Sequence, residues 1–373
     1  GAVVARQRIE GNALELLPDG PATYRALLEE IHRARSTIDA TTYSLLNDPA
    51  GGPLLAALAE RARAGVRVRL LYDAVGSLAL RRGDLRELRA AGAQVCAFNP
   101  LWPPQWRLSP NLRNHRKLLI GDGRTAITGG QNLDRRFLGD GSGEPCFIDF
   151  SARVQGPVVA GMQREFLSDW SWATGAPVTP DDAPSIATPC GPVTVSSLPC
   201  GPDLPGSPLR DALLNEIDTA AEQVLLLTPY FVPDHGFAEA LGVAARRGCR
   251  VRLIVPARSN HGLVDCARGP HLRRLQAVGA QVSLCPGPVL HAKLVLVDGR
   301  LAVFGSFNID RRSFFLNLEN AYGVEEPTAV ASLAAWAEAV ARRSEPFSQT
   351  AAARPGFQRR VREALAGLVE DYL

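Results

Sequence analysis

The chain contains two copies of one segment, and this duplication constrains its fold more than any other feature. Residues 115–136 read HRKLLIGDGRTAITGGQNLDRR and residues 291–312 read HAKLVLVDGRLAVFGSFNIDRR, so that 12 of 22 aligned positions are identical. Upstream, GVRVRLL at 65–71 is matched by GCRVRLI at 248–254. Matched blocks that recur in the same order indicate duplication of one structural unit.

The duplication predicts two similar domains joined by a linker. The segment between the copies is rich in Pro, Ala, Thr and Asp and lacks hydrophobic periodicity, which is typical of a linker. A chain of 373 residues is long enough for two domains. The predicted boundaries are 1–172 for the first domain, 173–192 for the linker, and 193–373 for the second domain with a C-terminal helix.

Within each copy, helical and strand patterns alternate along the chain. Apolar residues recur with helical spacing over 22–35, 54–64, 80–91, 209–221, 237–247 and 261–278. Runs typical of strands occupy 37–45, 66–72, 94–98, 223–228, 250–255 and 281–284. This alternation predicts an α/β fold in which a mostly parallel sheet is covered by helices on both faces.

Each copy carries a histidine and a lysine two residues apart, His115 with Lys117 and His291 with Lys293. Each pair opens a short apolar run, and side chains two residues apart on a strand point to the same face. The sequence therefore predicts that each copy presents an imidazole beside an ammonium group. These are the only two lysines among 41 Lys and Arg residues. Arg replaces Lys readily on a surface but not at a site that needs a compact charge.

An aspartate follows each pair at the same spacing. Asp122-Gly123 and Asp298-Gly299 each separate two apolar runs, and Asp-Gly in that position is a strong hairpin signal. As turn residues, Asp122 and Asp298 are predicted to shape the hairpin rather than to take part in chemistry.

Two imidazoles, two ammonium groups and two amides suit the cleavage of a phosphodiester. An imidazole titrates near neutral pH and can serve as nucleophile or proton donor. The lysines and the amides of Asn132 and Asn308 supply positive charge and hydrogen bonds where an anion gathers charge. We predict that one histidine attacks phosphorus while the other protonates the leaving oxygen. This scheme requires no metal, and the sequence offers no carboxylate–histidine cluster to bind one.

These residues resemble the paired motifs of the phospholipase D superfamily, H-x-K-x4-D-x6-G-[SG]-x-N. The matching positions are His115, Lys117, Asp122, Gly129 and Asn132 in the first copy, and His291, Lys293, Asp298, Gly305 and Asn308 in the second. The resemblance implies an α/β fold of two pseudo-symmetric phospholipase D-like α/β/α sandwich domains that face each other and share one active site. It also implies a covalent phosphohistidine intermediate and no cofactor.

The resemblance further implies a role for each residue of the site. It places the His, Lys and Asp of both motifs in the catalytic set, with His115 preferred as nucleophile and His291 as acid and base; the near symmetry leaves the reverse assignment open. It places three residues at the phosphate: Asn132, Ser306 and Asn308. Asp149 and Glu319 occupy the positions of acidic residues that orient the histidines. The first copy has Gly130 where the second has Ser306, which puts one hydroxyl donor in doubt.

Within the superfamily, further segments are similar to bacterial cardiolipin synthases. These segments are TY at 42–43, LYDAVGS at 71–77, RNHRK at 113–117, GGQN at 129–132, TPYFVPD at 228–234 and NIDRRS at 308–313. This similarity implies transfer of a phosphatidyl group, with phosphatidylglycerol as donor, to an alcohol acceptor. Two alternatives remain open: a phospholipase D that uses water as acceptor, and a metal-independent nuclease. The net charge of +3 gives no support for a nucleic-acid partner.

The sequence also predicts where such an enzyme acts. No apolar run approaches the roughly 18 residues of a membrane span, so we expect a cytoplasmic protein that binds peripherally to the inner face of a membrane. The single Met is internal, which leaves open whether an N-terminal anchor was removed. The seven cysteines are expected to be reduced, although Cys190 and Cys200 could pair. The amphipathic tail 357–372 is either a helix that caps the core or one that lies on a membrane. The oligomeric state is left open.

Overall fold

The computed structural model describes residues 7–101, 111–179, 182, 187–198, 200–202, 204, 206–349 and 355–367. Within these ranges the chain divides into two compact units. The N-terminal unit comprises Gln7–Ser197 together with the short segment Leu318–Asn320. The C-terminal unit comprises Leu198–Asn317 and the described residues from Ala321 onward.

The N-terminal unit alternates strands and helices in chain order, as the sequence predicts. Its elements are β1 Arg8–Leu17, α1 Gly20–Arg33, β2 Thr37–Thr42, α2 Gly51–Arg63, β3 Arg67–Asp73, α3 Arg86–Ala90, β4 Gln94–Phe98, β5 Leu118–Gly121, β6 Thr125–Gly129, α4 Arg135–Leu138, β7 Ser151–Gln155, α5 Val159–Thr174 and β8 Val193–Ser197. The helix predicted at 80–91 is shorter than expected. A 3₁₀ turn, Arg82–Leu85, precedes α3 because the Asp84 side chain accepts a hydrogen bond from the backbone of Arg81 (2.8 Å).

The C-terminal unit repeats this alternation from its first helix onward, with two short strands inserted and a strand and a helix added at its end. Its elements are α6 Pro208–Thr219, β9 Gln223–Leu227, β10 Phe231–Val232, α7 His235–Arg246, β11 Arg250–Pro256, α8 Gly262–Ala277, β12 Gln281–Cys285, β13 Leu294–Val297, β14 Leu301–Gly305, β15 Ile309–Asp310, α9 Arg311–Phe315, β16 Ala321–Val324, α10 Pro327–Arg342, β17 Glu345–Pro346 and α11 Phe357–Gly367. Ser207 and Asp234 cap α6 and α7 by accepting hydrogen bonds from backbone amides of the first turn.

The prediction of a mostly parallel sheet was wrong. In the N-terminal unit the strand order is β8-β1-β7-β6-β5-β2-β3-β4, and only β2, β3 and β4 run parallel to their neighbours within that group. In the C-terminal unit the order is β17-β12-β11-β9-β13-β14-β16, with β9, β11 and β12 parallel. The crossovers through α2, α3, α7 and α8 add parallel strands. The hairpins β5–β6 and β13–β14 and the strands β8 and β17 pair antiparallel. Both sheets are therefore mixed.

Helices cover both faces of the sheet in the N-terminal unit. Ile38 and Ala40 of β2 pack into the core formed with α1 and α2. Asp39 lies between them in sequence and so points to the opposite face. There it accepts two hydrogen bonds from Arg69 (2.6 and 2.9 Å) and one from Gln163 of α5 (3.0 Å). The predicted α/β/α layering is confirmed in this unit.

The C-terminal unit has the same layers. Leu213 and Leu241, from α6 and α7, pack with Val251 and Leu253 of β11 in one buried core. Arg252 lies between those two strand residues and reaches the opposite face, where it forms an ion pair with Glu338 of α10. The repeated sequence thus produces a repeated three-layer unit.

Two further features bear on the sequence predictions. None of the helices in the part of the chain that the structure describes has the length and hydropathy of a bilayer-spanning segment. All seven cysteines lie within the described residues and are thiols, so Cys190 and Cys200 are not paired.

Candidate active site

The first histidine–lysine pair lies at the entrance to β5 in the N-terminal unit. Lys117 Nζ donates a hydrogen bond to the carbonyl oxygen of His115 (2.5 Å). The ring of Tyr43 lies edge-on to the His115 ring, with 4.7 Å between centroids, and Lys117 Nζ lies 5.4 Å from the centre of the same tyrosine. Imidazole and ammonium are thus held side by side, as the two-residue spacing predicts.

Glu319 holds the imidazole of His115. Its Oε2 lies 3.0 Å from His115 Nδ1, and the glutamate side chain is fully buried. Backbone pairing fixes the approach, because His115 N donates to the Leu318 carbonyl (2.8 Å) and Leu318 N donates to the Arg113 carbonyl (2.9 Å). Leu318–Asn320 therefore joins the N-terminal unit as a short extended segment beside His115. A carboxylate on Nδ1 sets the tautomer and leaves Nε2 for chemistry.

A buried polar network supports this arrangement, and its members are not among the residues that the sequence predicts for the site. Arg116 donates to Asp169 of α5 (2.5 Å) and to the Glu319 carbonyl (3.1 Å), and Asn114 also donates to Asp169 (2.8 Å). Arg116 and Asn114 belong to the RNHRK segment, and the similarity of that segment to cardiolipin synthases could have identified them as site residues. Asp169 had none, because it lies in a helix about 50 residues downstream and meets the pair only in the fold.

Asp73 fixes the same stretch from the end of β3. It is fully buried and accepts hydrogen bonds from the backbone of Asn114 (2.9 Å), Val75 (2.9 Å) and Gly76 (3.1 Å). Burial raises the pKa of Asp73, against the lowering effect of Arg113 and of these amides. The residues on either side of His115 are thus tied to buried acids.

Asn132 and Asp149 lie in the same unit. Asn132 is buried, and its Oδ1 accepts a hydrogen bond from the backbone of Ser44 (3.1 Å), so the amide nitrogen is the group suited to an anion. Asp149 explains Gly130: a Cβ at Gly130 would lie 2.6 Å from both carboxylate oxygens of Asp149. Because Gly130 has no side chain, the Asp149 carboxylate can occupy the space beside it, and a serine side chain would fill that space.

The second pair has its own arrangement in the C-terminal unit. Lys293 Nζ donates to the carbonyl oxygen of His291 (2.5 Å) and lies 2.7 Å from His291 Nδ1. Lys293 is 1 % exposed. The ring of Tyr230 lies perpendicular to the His291 ring at 6.5 Å. The predicted side-by-side placement of imidazole and ammonium is therefore present in both units.

Ser306 and Asn308 follow β14, as Gly130 and Asn132 follow β6. Both are buried, and the backbone N–H of Asn308 donates to Ser313 Oγ (2.9 Å). Asn308 Oδ1 has no hydrogen-bond partner among the described residues. The side-chain oxygen of Asn308 is thus available to accept a hydrogen bond.

Asp122 and Asp298 lie in the hairpin turns, both with φ of 51°. The carboxylate of Asp122 accepts from the backbone of Arg35, Ser36 and Thr37 (2.7–3.1 Å). That of Asp298 accepts from residues 221–223 (2.8–2.9 Å). A strand rises about 3.3 Å per residue, so each aspartate lies about 16 Å along the chain from the lysine of its motif.

These hydrogen bonds favour the charged form of both turn aspartates. Burial disfavours the charged form, but the backbone N–H groups outweigh it and lower the pKa of Asp122 and of Asp298. Among the described residues, no three or more His, Cys, Asp and Glu side chains cluster in a way that could hold a metal ion.

Both halves of the chain match the same known protein family. The chain matches the family described as "Cardiolipin synthase, PLD-like domain" over residues 27–170 and again over 213–341. The chain belongs to this cardiolipin synthase, PLD-like family. Both matches contain one complete histidine–lysine motif.

Relatives within the cardiolipin synthase, PLD-like family are similar over most of this chain. The major cardiolipin synthase ClsA of Bacillus subtilis (strain 168) is 35% identical over 83% of this chain and 65% of its own length. The probable cardiolipin synthase YwiE of the same organism is 30% identical over 96% of this chain and 72% of its own length. The chain thus spans just under two thirds of ClsA.

The fold agrees with a solved structure. Phosphatidylserine synthase from Haemophilus influenzae Rd KW20 superimposes with a TM-score of 0.74 over 96% of this chain and 95% of its own, at 17% sequence identity. At that identity the likeness establishes the shared fold.

We predict that Asp298→Asn lowers stability and leaves the chemistry of the folded protein intact. Asn tolerates a positive φ but loses the charge that binds three amides, which costs about 1–3 kcal/mol in the free energy of unfolding. Because the pKa of Asp298 is lowered, its stabilisation is full above the ordinary Asp pKa and is lost as pH falls through the lowered one. Thermal melts at several pH values, with Asp218→Asn as control, measure this. Turnover that collapses at an unchanged melting temperature would contradict it.

We predict that Gly130→Ala reduces turnover at least tenfold with little change in melting temperature. The new Cβ would displace the Asp149 carboxylate, which is the flexible end of a side chain. Gly161→Ala in α5 is the matched control, because a Cβ there meets nothing closer than 3.8 Å. Steady-state rates of the two variants test the prediction. Equal rates for both variants would show that Asp149 need not stay in place.

Proposed function

We propose that this chain is a phosphatidyl transferase of the cardiolipin synthase type. It moves a phosphatidyl group from a phospholipid donor, phosphatidylglycerol, to an alcohol acceptor through a covalent phosphohistidine. The observation that carries the proposal is the duplicated pairing of imidazole and ammonium, with His115 Nδ1 held by a buried carboxylate. The named cardiolipin synthases among its relatives support the choice of substrate.

In the first step, Nε2 of His115 attacks the donor phosphorus. The phosphorus–oxygen bond to the leaving alcohol breaks, and His291 gives that oxygen a proton. Glu319 on Nδ1 favours His115 as the nucleophile, because it neutralises the positive charge that the ring gains when Nε2 bonds to phosphorus. We assign to Asp149 the equivalent task of orienting a histidine.

In the second step, the acceptor hydroxyl attacks the phosphohistidine. His291 takes the hydroxyl proton, the nitrogen–phosphorus bond breaks, and both histidines return to their starting states. With phosphatidylglycerol as donor and acceptor, the products are cardiolipin and glycerol. Water in place of the alcohol would give phosphatidic acid.

The remaining residues of the site stabilise charge on the phosphate. Lys117 and Lys293 are compact cations held beside the imidazoles, and Asn132, Asn308 and Ser306 are buried hydrogen-bonding groups at the ends of the second hairpin strands. Such preorganised donors act most strongly where water is excluded. The aspartates of both motifs hold the hairpins in place. We further propose that the protein acts peripherally on the inner face of a membrane, since its substrates are lipids.

The test separates the roles of the two histidines. Vesicles of phosphatidylglycerol labelled in the phosphate are mixed with wild type, His115→Ala and His291→Ala. We expect cardiolipin from wild type, no product from either variant, and an acid-labile, protein-bound label that His115→Ala abolishes. His291→Ala should still trap label, although more slowly, because the nucleophile is intact but the leaving oxygen is no longer protonated.

Other outcomes contradict defined parts of the proposal. Label that persists in His115→Ala and disappears in His291→Ala would reverse the two roles. Phosphatidic acid as the main product, unchanged by excess glycerol, would make the protein a hydrolase. Undiminished transfer in either variant would exclude the mechanism.

A further inference from the structure

The helix α11 is bound to α8 by a small set of contacts along one face. Glu363 is buried and forms a two-pronged ion pair with Arg273 of α8 (2.5 and 3.1 Å). Ala366 is fully buried in a small apolar cluster with Val264 and Ala267, also of α8. One face of α11 is therefore fixed to the C-terminal unit.

The opposite face of α11 is apolar and exposed. Successive residues of an α-helix are about 100° apart, so Val361, Ala364 and Leu365 lie opposite Glu363 and Ala366. The side chains of Val361 and Leu365 are 42% and 60% exposed. The helix α11 therefore has two distinct faces. One packs on α8, and the other is an apolar stripe that points away from the core of the unit.

Arginines border the outward stripe on both sides. By the same geometry, Arg360 lies on one flank of Val361 and Arg362 on the other, and both are exposed. On the neighbouring helix, Leu263 at the start of α8 is 49% exposed, at the end of α8 where Ala366 packs. Apolar side chains with arginines on both flanks match a bilayer surface, where apolar groups enter the acyl boundary and guanidinium groups meet lipid phosphates.

The same cluster connects α11 to the histidine of the C-terminal unit. Tyr230 packs against the cluster that contains Ala366 and Val264. The ring of Tyr230 is also perpendicular to the His291 ring, 6.5 Å away. The apolar cluster on which α11 packs therefore also contacts Tyr230, the aromatic neighbour of His291.

We propose that α11 is a docking helix that binds the surface of a bilayer rich in anionic phospholipid and brings the C-terminal unit to its substrate. The choice of lipid as the partner rests on the proposed function. The attraction has two parts, burial of Val361 and Leu365 and pairing of Arg360 and Arg362 with phosphates.

The experiment measures binding of the full chain to vesicles by co-sedimentation. Phosphatidylglycerol vesicles and phosphatidylcholine vesicles are compared for wild type, for the double variant Val361→Ser/Leu365→Ser, and for Arg360→Gln/Arg362→Gln. The control is Val243→Ser/Arg343→Gln, which alters an exposed valine and an exposed arginine elsewhere in the same unit. Melting temperatures verify that each variant is folded.

We expect each α11 variant to bind phosphatidylglycerol vesicles at least tenfold more weakly than wild type. The arginine variant loses two charges that each contribute about 1 kcal/mol near an anionic surface, and the serine variant loses the burial of Val361 and Leu365. The control variant should bind like wild type, and wild type should bind phosphatidylcholine vesicles much more weakly. Equal binding by the α11 variants and the control, or equal binding to both lipids, would overturn the proposal.

A second readout separates this proposal from the proposed function. Activity is measured on phosphatidylglycerol dispersed in detergent, where docking to a bilayer is not needed. There the α11 variants should be as active as wild type. A wild type that binds vesicles through α11 and transfers no phosphatidyl group would contradict the proposed function alone. Full transfer in detergent, with vesicle binding indifferent to α11, would contradict the docking helix alone.

Discussion

The hydrogen bond from each lysine ammonium to the carbonyl oxygen of the histidine two residues earlier organises both halves of this protein. It is 2.5 Å long in each unit, from Lys117 to His115 and from Lys293 to His291. The bond folds a long, flexible side chain back on the strand entrance and places its charge beside the imidazole. A lysine that is ordered in advance loses little rotamer freedom when it meets a phosphate, which is how a preorganised site stabilises charge.

The rest of each unit maintains the strand entrance where this bond forms. The hairpin after the lysine is anchored at its far end by Asp122 or Asp298, whose carboxylates tie the turn to the segment before β2 or β9. In the N-terminal unit, Arg116, Asn114 and Asp169 fix the near end. Each motif is therefore one imidazole–ammonium pair and one aspartate of the hairpin turn, separated by the length of a strand.

Each unit has its own histidine–lysine pair, and the surroundings of the pair differ between the two units. In the N-terminal unit Glu319 binds the imidazole and an aromatic ring lies 4.7 Å from it, whereas in the C-terminal unit the lysine itself lies 2.7 Å from the imidazole Nδ1. Gly130 makes room for a carboxylate where its counterpart is Ser306. These differences give the two histidines different electrostatic surroundings.

Much of this arrangement follows from the sequence because it depends on short-range rules. Period-two alternation predicts the pairing of His115 with Lys117, and Asp-Gly predicts both turns, including the structural placement of Asp122 and Asp298. The mixed pairing of the strands did not follow, because the sequence predicts the crossovers that add parallel strands but not the antiparallel strands β1, β7, β8, β16 and β17. Nor did the joining of Leu318–Asn320 to the N-terminal unit, or the meeting of Arg116 with Asp169, because both are long-range contacts that local patterns do not encode.

The central claim is that a compact ammonium beside each imidazole is needed for phosphoryl transfer. It is tested most directly by the turnover of Lys117→Arg and Lys293→Arg on phosphatidylglycerol, with Arg124→Lys as the reverse control at an exposed turn. Arg keeps the charge but is planar and larger, so it cannot reproduce the bond to the histidine carbonyl in a site where Lys293 is 1 % exposed. The account predicts a loss of about a hundredfold or more in each folded variant, the scale of removing one preorganised donor. Near wild-type turnover in both would contradict it.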